Sequence, residues 1–353
     1  MSRRRIYFLL FAISFLPATT DGQIPHDIAK VKSQTLKYDS SNQLFDFSLP
    51  FSKIEIIDYR FDTSKIGYAI HNNPENHTKL VVPGGVREFL AMRLNASLKN
   101  YMQPMAPATL VIVLKKLWLE YASVNELLRS KDIKDESLLR AYNKNTFCFS
   151  DMDVFVKTEG SYQALIRLTY NFTGEEVGRY SDFHLLMMPF DSLINKILSI
   201  DVATTLANKK KFSLDELHVN YSKRFDIPVL TSDSLHRGIF LSFDDFKKNK
   251  PSYPDFKYKI FELSTELTVE QDGKGVAITD YWGFFTGKDL YVKPGFLPFR
   301  VMRQGNTFDM LGTMRSKRKE GSIQVYSGFS VPISTVNTIL YPFQVDMESG
   351  KVY

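Results

Sequence analysis

The sequence predicts an α+β protein: an N-terminal two-layer α/β sandwich, a mainly antiparallel sheet with helices on one face, followed by a C-terminal β-rich domain. Three observations carry this. The chain has 353 residues, more than one hydrophobic core usually organises. Its 28 Phe and 18 Tyr favour strands, because flat rings pack well on a pleated, half-buried surface. The texture also changes near residue 238, from long helix- and strand-period segments to short aromatic strands punctuated by Gly, Pro and Asp-Gly.

Residues 1–22 read as an export signal. Arg3, Arg4 and Arg5 form a positive start, residues 6–16 are an apolar run and Pro17 breaks it. Thr20 and Gly22 are then small residues at −3 and −1 of a cleavage before Gln23. An eleven-residue apolar helix is about 16 Å long, roughly half a bilayer core, so this is a leader rather than a span. The expected product is exported, either periplasmic or at the cell surface. Losing three Arg and one Asp lowers the formal charge from +6 to +4, too weak a bias for a nucleic-acid partner. Cys148 is the only cysteine, so no intrachain disulfide forms, and an exported chain without disulfides reads as bacterial. The sequons at Asn76, Asn95, Asn171 and Asn220 read as chance in a chain rich in Asn, Ser and Thr.

The first domain is expected over 23–225. Short strands are predicted at 35–38 and 44–49, and a firmer one over 53–62, where Ile54 and Ile56 alternate with Glu55 and Ile57. After Pro83-Gly84-Gly85, the residues Val86, Phe89, Leu90, Leu94, Leu98, Tyr101 and Met102 keep helical spacing until Pro104. Residues 108–122 form the longest strand candidate, apolar on both faces at first, as a covered central strand should be. A polar helical stretch (124–142), strands at 153–158 and 162–172, and a second helix over 181–208 follow.

A charged connector at 222–237 leads to the second domain, 236–353. Strands are predicted there at 239–243, 256–270, 275–283, 290–292, 296–304, 307–313, 322–329 and 341–345. The terminal "DMESGKVY" reads as a tight turn into a last short strand.

Signatures of catalysis are missing: no G-x-S-x-G elbow, Walker A loop, H-E-x-x-H or paired C-x-x-C occurs. His71, Glu75 and His77 share a loop, but the Asn- and Pro-rich setting reads as a solvated turn, and neither metal nor cofactor is expected. Cys148, between two phenylalanines, reads as a buried inert thiol. Asp58 and Asp62 flank Arg60; on an extended strand they stand about 13 Å apart, too far for glycoside chemistry, so they read as a polar network holding the next turn. Two stretches remain as binding candidates. One is "DYWGFFTGKDLYV", whose Tyr281, Trp282, Phe284 and Phe285 form either an aromatic ligand platform or hairpin packing around a Thr286–Asp289 turn. The other is the basic run Arg315, Lys317, Arg318 and Lys319, a candidate contact for anionic membrane or glycan.

The segments "GIFLSFDDFKKNKPS", "WGFFTGKDLYV", "GNTFDMLG" and "VDMESGKVY" resemble uncharacterised signal-peptide-bearing exported proteins of Bacteroidota. The Gly-Gln at the end of the leader fits the same group. The first half is similar, in element order only, to small envelope domains of assembly and transport-accessory lipoproteins, although no lipid-acceptor cysteine follows the leader. The resulting expectation is an exported non-enzymatic envelope protein that binds or assembles with an envelope protein or glycan and has no transmembrane segment. The alternatives are a glycan-acting hydrolase and a peripheral protein held by the basic loop.

Overall fold

A computed structural model describes residues 24–25, 33–35, 48–70, 77–122, 147–173, 182–261, 265–293, 298–310, 312–313, 322–324, 330–332 and 343–352. Residues 1–22, the helix expected at 124–142, His71, Glu75 and the basic run Arg315–Lys319 lie outside the described residues. The protein is a mixed α/β chain in which strand outweighs helix, 41% to 25%, and the sheet is curled. No described helix is long and apolar enough to cross a membrane.

The long sheet is built around β5 (Thr109–Ala122). Its other strands are β1 (Ser33–Thr35), β2 (Lys53–Asp58), β3 (Gly67–Ile70), β4 (His77–Val81), β6 (Phe147–Thr158), β7 (Ser161–Thr173) and β8 (Lys211–Phe212). The order is β1-β4-β3-β5-β6-β7-β8, with β2 also on β5. Both β2 and β3 run parallel to β5 along one edge, β2 against Thr109–Leu114 and β3 against Leu119–Ala122. The other neighbour, β6, is antiparallel, as are the β6–β7 and β7–β8 pairs. With β3–β4 antiparallel as well, antiparallel pairing prevails in a sheet that also holds parallel strands along one side. Gly67 lies against β5 at a φ of +143°, where an added Cβ would sit 1.7 Å from the Leu119 carbonyl oxygen, so only glycine fits.

A bulge at Lys115 divides β5. Leu110, Ile112 and Leu114 face one way, and after the register shift Leu117 and Leu119 continue that face. On it lie α1 (Val86–Leu98) and α2 (Asp182–Leu198), whose Leu90, Leu94, Leu186, Phe190 and Leu193 are buried with Met152 and Val154. Asn95, read as a chance sequon, is structural: its side chain accepts from Ile54 N at 2.8 Å and donates to Ile54 O at 2.7 Å. Cys148 is in this core, where burial pushes the thiol up to about 12. After a short helix α3 (Val202–Leu206), α4 (Leu214–Ser222) packs on the opposite face with Leu217 against Val111, Val113 and Phe155. Helices thus contact both faces, because the capping box of Ser213 and Glu216 starts a helix just ahead of the charged connector.

The later residues form a six-stranded antiparallel sheet. A one-turn helix α5 (Pro228–Thr231) precedes β9 (Gly238–Phe240), and α6 (Phe243–Lys247) follows it. The expected strand at 256–270 is two strands, β10 (Lys257–Ile260) and β11 (Thr265–Gln271). They form a three-stranded meander with β12 (Lys274–Ala277). Then come β13 (Gly283–Phe285), β14 (Leu290–Val292), β15 (Phe299–Gln304), β16 (Thr307–Met310) and β17 (Phe343–Gln344). The large sheet is ordered β9-β13-β14-β15-β16-β17. The terminal turn closes with Gly350 N donating to Asp346 O at 2.8 Å and a Val345–Val352 bridge. Ile24–Pro25 pairs with Gly312–Thr313, so chain from the start of the first expected domain joins the second.

Candidate binding cleft

A cleft of about 730 Å³ opens on the face of the long sheet that carries α4. Its strand residues alternate by the ordinary pleat: Asp151, Asp153 and Phe155 of β6 and Arg167 of β7 line it, opposite Phe212, Leu217 and Tyr221. The bulge adds Lys115. Two successive lysines on a regular strand would point to opposite faces; here Lys115 reaches Asp151 at 2.9 Å and Asp153 at 3.2 Å, while Lys116 reaches Asp346 at 2.7 Å and Glu348 at 2.9 Å.

Asp153 is the most heavily bonded group. It accepts from Arg167 Nε at 2.6 Å and Nη2 at 3.2 Å and from the Tyr221 hydroxyl at 2.6 Å. Burial alone would push its carboxyl up, but the bonds from Arg167 and Tyr221 and the Lys115 ammonium outweigh it and hold Asp153 below the usual carboxylate range. Burial and the bond to Asp153 in turn push the Tyr221 phenol far up. Tyr221 stacks on Tyr59, with ring centroids 5.2 Å apart, and the Tyr59 hydroxyl hydrogen-bonds His218 Nδ1. At the far wall Arg224 bonds Glu348 at 2.6 Å and the Tyr59 carbonyl at 2.9 Å. Glu348 is also held low, because Arg224 and Lys116 outweigh its burial.

Behind this wall the two sheets meet through buried charge. The stretch between β2 and β3 faces the bulge of β5 and supplies Arg60, Asp62 and Lys65. Arg60 binds Asp58 through Nε and Nη2 and reaches the Lys65 carbonyl at 2.8 Å, and Asp62 accepts from Ser64 and from the Lys65 ammonium. These carboxylates hold the turn, as expected. Lys65 then crosses to Asp309 of β16 at 2.6 Å, where the Tyr68 hydroxyl at 3.0 Å and Gln344 Nε2 at 3.1 Å complete the shell.

The aromatic platform is scaffold. Tyr281 and Phe284 are buried with Ile239, Leu267 and Val269, and Phe284 stacks on Tyr291 at 4.8 Å. Trp282 and Phe285 pack against the other cluster, with Trp282 4.5 Å from Phe246. The chain is regular strand only from Gly283, so strict alternation across 280–285 breaks down and rings go to both cores. The Thr286–Asp289 turn forms as expected, with Thr286 N bonding Asp289 O at 3.0 Å and Gly287 at a φ of +95°. Among the described residues no group of three His, Cys, Asp or Glu is placed to hold a metal ion.

None of the cleft residues was a candidate in the sequence. The available signals were the Lys115-Lys116 pair inside an apolar strand, the alternating Asp151 and Asp153, and the Ser213-x-x-Glu216 box.

Fold and site together define a mixed α/β protein with an ion-paired, aromatic-walled cleft. No family model matches the chain, and no curated protein matches it. One solved structure, titled "Crystal structure of uncharacterized protein", is 7% identical over 47% of this chain and 95% of that chain, with a TM-score of 0.26. A likeness that slight carries no argument.

Proposed function

We propose that the protein is exported and acts in the cell envelope as a non-catalytic binding component that receives its ligand in the cleft. The observation that carries this is the state of the acids. Asp151, Asp153 and Glu348, the carboxylates that line the cleft among the described residues, each lie within 3.2 Å of a cationic side chain. Glycoside hydrolysis needs one carboxyl kept protonated beside an ionised partner. Asp153 is held ionised, and Asp151 shares its lysine. What remains on offer is an aromatic wall (Phe155, Phe212, Tyr221) with Arg167 and Lys209 at the rim, a surface suited to a polar ligand with apolar faces, such as a glycan. The leader over 1–22 supports the location.

Soluble cell-wall glycan fragments mixed with the purified mature chain should give saturable heat of binding with no new reducing ends. Binding should weaken in Tyr221→Ala. Release of reducing ends that Asp153→Asn abolishes would overturn the reading in favour of a hydrolase. Recovery of the native protein in the cytosolic fraction, still carrying residues 1–22, would overturn the location.

A further inference from the structure

The meander β10-β11-β12 has an open edge whose chemistry is specific. Every residue of β10 is exposed, and among the described strands it pairs only with β11. One side of a strand in such a position presents backbone N–H and C=O groups with no strand to take them. Its side chains alternate. Tyr258 and Ile260 lie on the face shared with the buried Leu267 and Val269, yet they stay 43% and 42% exposed, and the adjacent Phe261 is 48% exposed. Lys257 and Lys259 stand on the other face. The result is a row of apolar groups only half covered by the core beneath them, beside two cations in step with the pleat.

We propose that the free side of β10 takes up an extended segment of another protein in which acidic residues alternate with apolar ones, extending the meander by one strand. Charge complementarity selects this partner. The chain itself pairs Lys259 with Glu266 of β11, the face-to-face arrangement a strand on the free side would repeat. A second copy is disfavoured, since β10 paired with its own equivalent in register, parallel or antiparallel about Tyr258, sets lysine against lysine. Edge lysines guard against that self-pairing. A partner strand with acids at alternate positions meets both ammonium groups, and its apolar residues cover Tyr258, Ile260 and Phe261. The site shares no residue with the cleft, so the two readings stand or fall separately.

The test uses the full mature chain and a labelled heptapeptide built on β11, TELTVEQ, with its second glutamate moved to the fourth position (TELEVTQ) so that its two acids stand two apart like Lys257 and Lys259, beside a counterpart with both glutamates replaced by lysine. Fluorescence anisotropy should show the acidic peptide binding about ten-fold more tightly than the basic one, the factor expected of two facing charge pairs. Lys257→Glu with Lys259→Glu, both on the surface, should invert that preference. Hydrogen exchange of the 257–260 amides should slow when the acidic peptide is added. Equal binding of both peptides, binding of neither, a preference that survives the charge reversal, or unchanged exchange at 257–260 would each sink the proposal. A dimer in sedimentation that Ile260→Asp dissociates would also sink it, assigning the edge to a second copy.

Discussion

The two faces of the long sheet are made from alternate residues of the same strands, yet they do opposite work. Under α1 and α2 the face is aliphatic and sealed, with Leu110, Ile112, Leu114, Met152 and Leu193 wholly buried. The other face holds Lys115, Asp153, Glu120 and Tyr68 within the same sheet, also mostly buried, but as charge and hydroxyl. One extra residue at Lys115 makes the difference. It turns two consecutive lysines to one side while the leucines before and after it continue on the other. A bulge can thus concentrate ionic groups where a cleft and a second sheet meet, without opening the hydrophobic side.

That contrast can be broken from either face. The largest loss is expected on the sealed side: Phe190→Ala removes a ring 1% exposed and should cost about 3–5 kcal/mol in chemical denaturation. Slightly smaller is Lys65→Met, which strands Asp309 without its cation and should cost about 3 kcal/mol; adding Asp309→Asn should restore part of it. If Lys65→Met is neutral, the buried network contributes nothing net. Glu120→Gln should stabilise, and the gain depends on pH. Burial pushes this carboxyl from 4.5 up to about 8. The folded protein therefore holds its proton longer than the unfolded chain, so stability falls as pH rises from about 4.5 to about 8 and is level above that. Glu120→Gln should remove that slope, giving little gain at pH 4 and a gain of a few kcal/mol by pH 8, since the slope is at most about 1.4 kcal/mol for each tenfold change in proton concentration. Equal gains at pH 4 and pH 8 would contradict this account. The smallest effect is Tyr221→Phe, which takes one hydrogen bond from Asp153 and should cost about 1 kcal/mol.

Much of the scaffold was legible in the residues. The stripe Val86, Phe89, Leu90, Leu94 and Leu98 predicted the buried face of α1, and the run 108–122 predicted the central strand nearly to the residue, because both patterns depend only on periodicity. The break between β10 and β11 was not legible, since Phe256 through Glu270 is continuously strand-like in composition. The cleft escaped for a different reason. Lys115, Asp153, Arg167, Tyr221 and Arg224 come from separate elements, and each alone resembles an ordinary surface residue. The aromatic stretch erred in the opposite direction: conspicuous in sequence, it is packing in space, because the rings at 281–285 are divided between two cores.

Local chemistry in the sequence determined the strand-rich composition, the start of α1, the turn at Thr286–Asp289 and the terminal turn, since propensity, glycine placement and periodicity act over a few residues. Only the tertiary structure decided that Lys65 meets an aspartate 244 positions away and that the Lys115 bulge faces a cleft. Those outcomes depend on which groups desolvation forces together, and a buried charge takes its partner from the fold rather than from its neighbours in the chain.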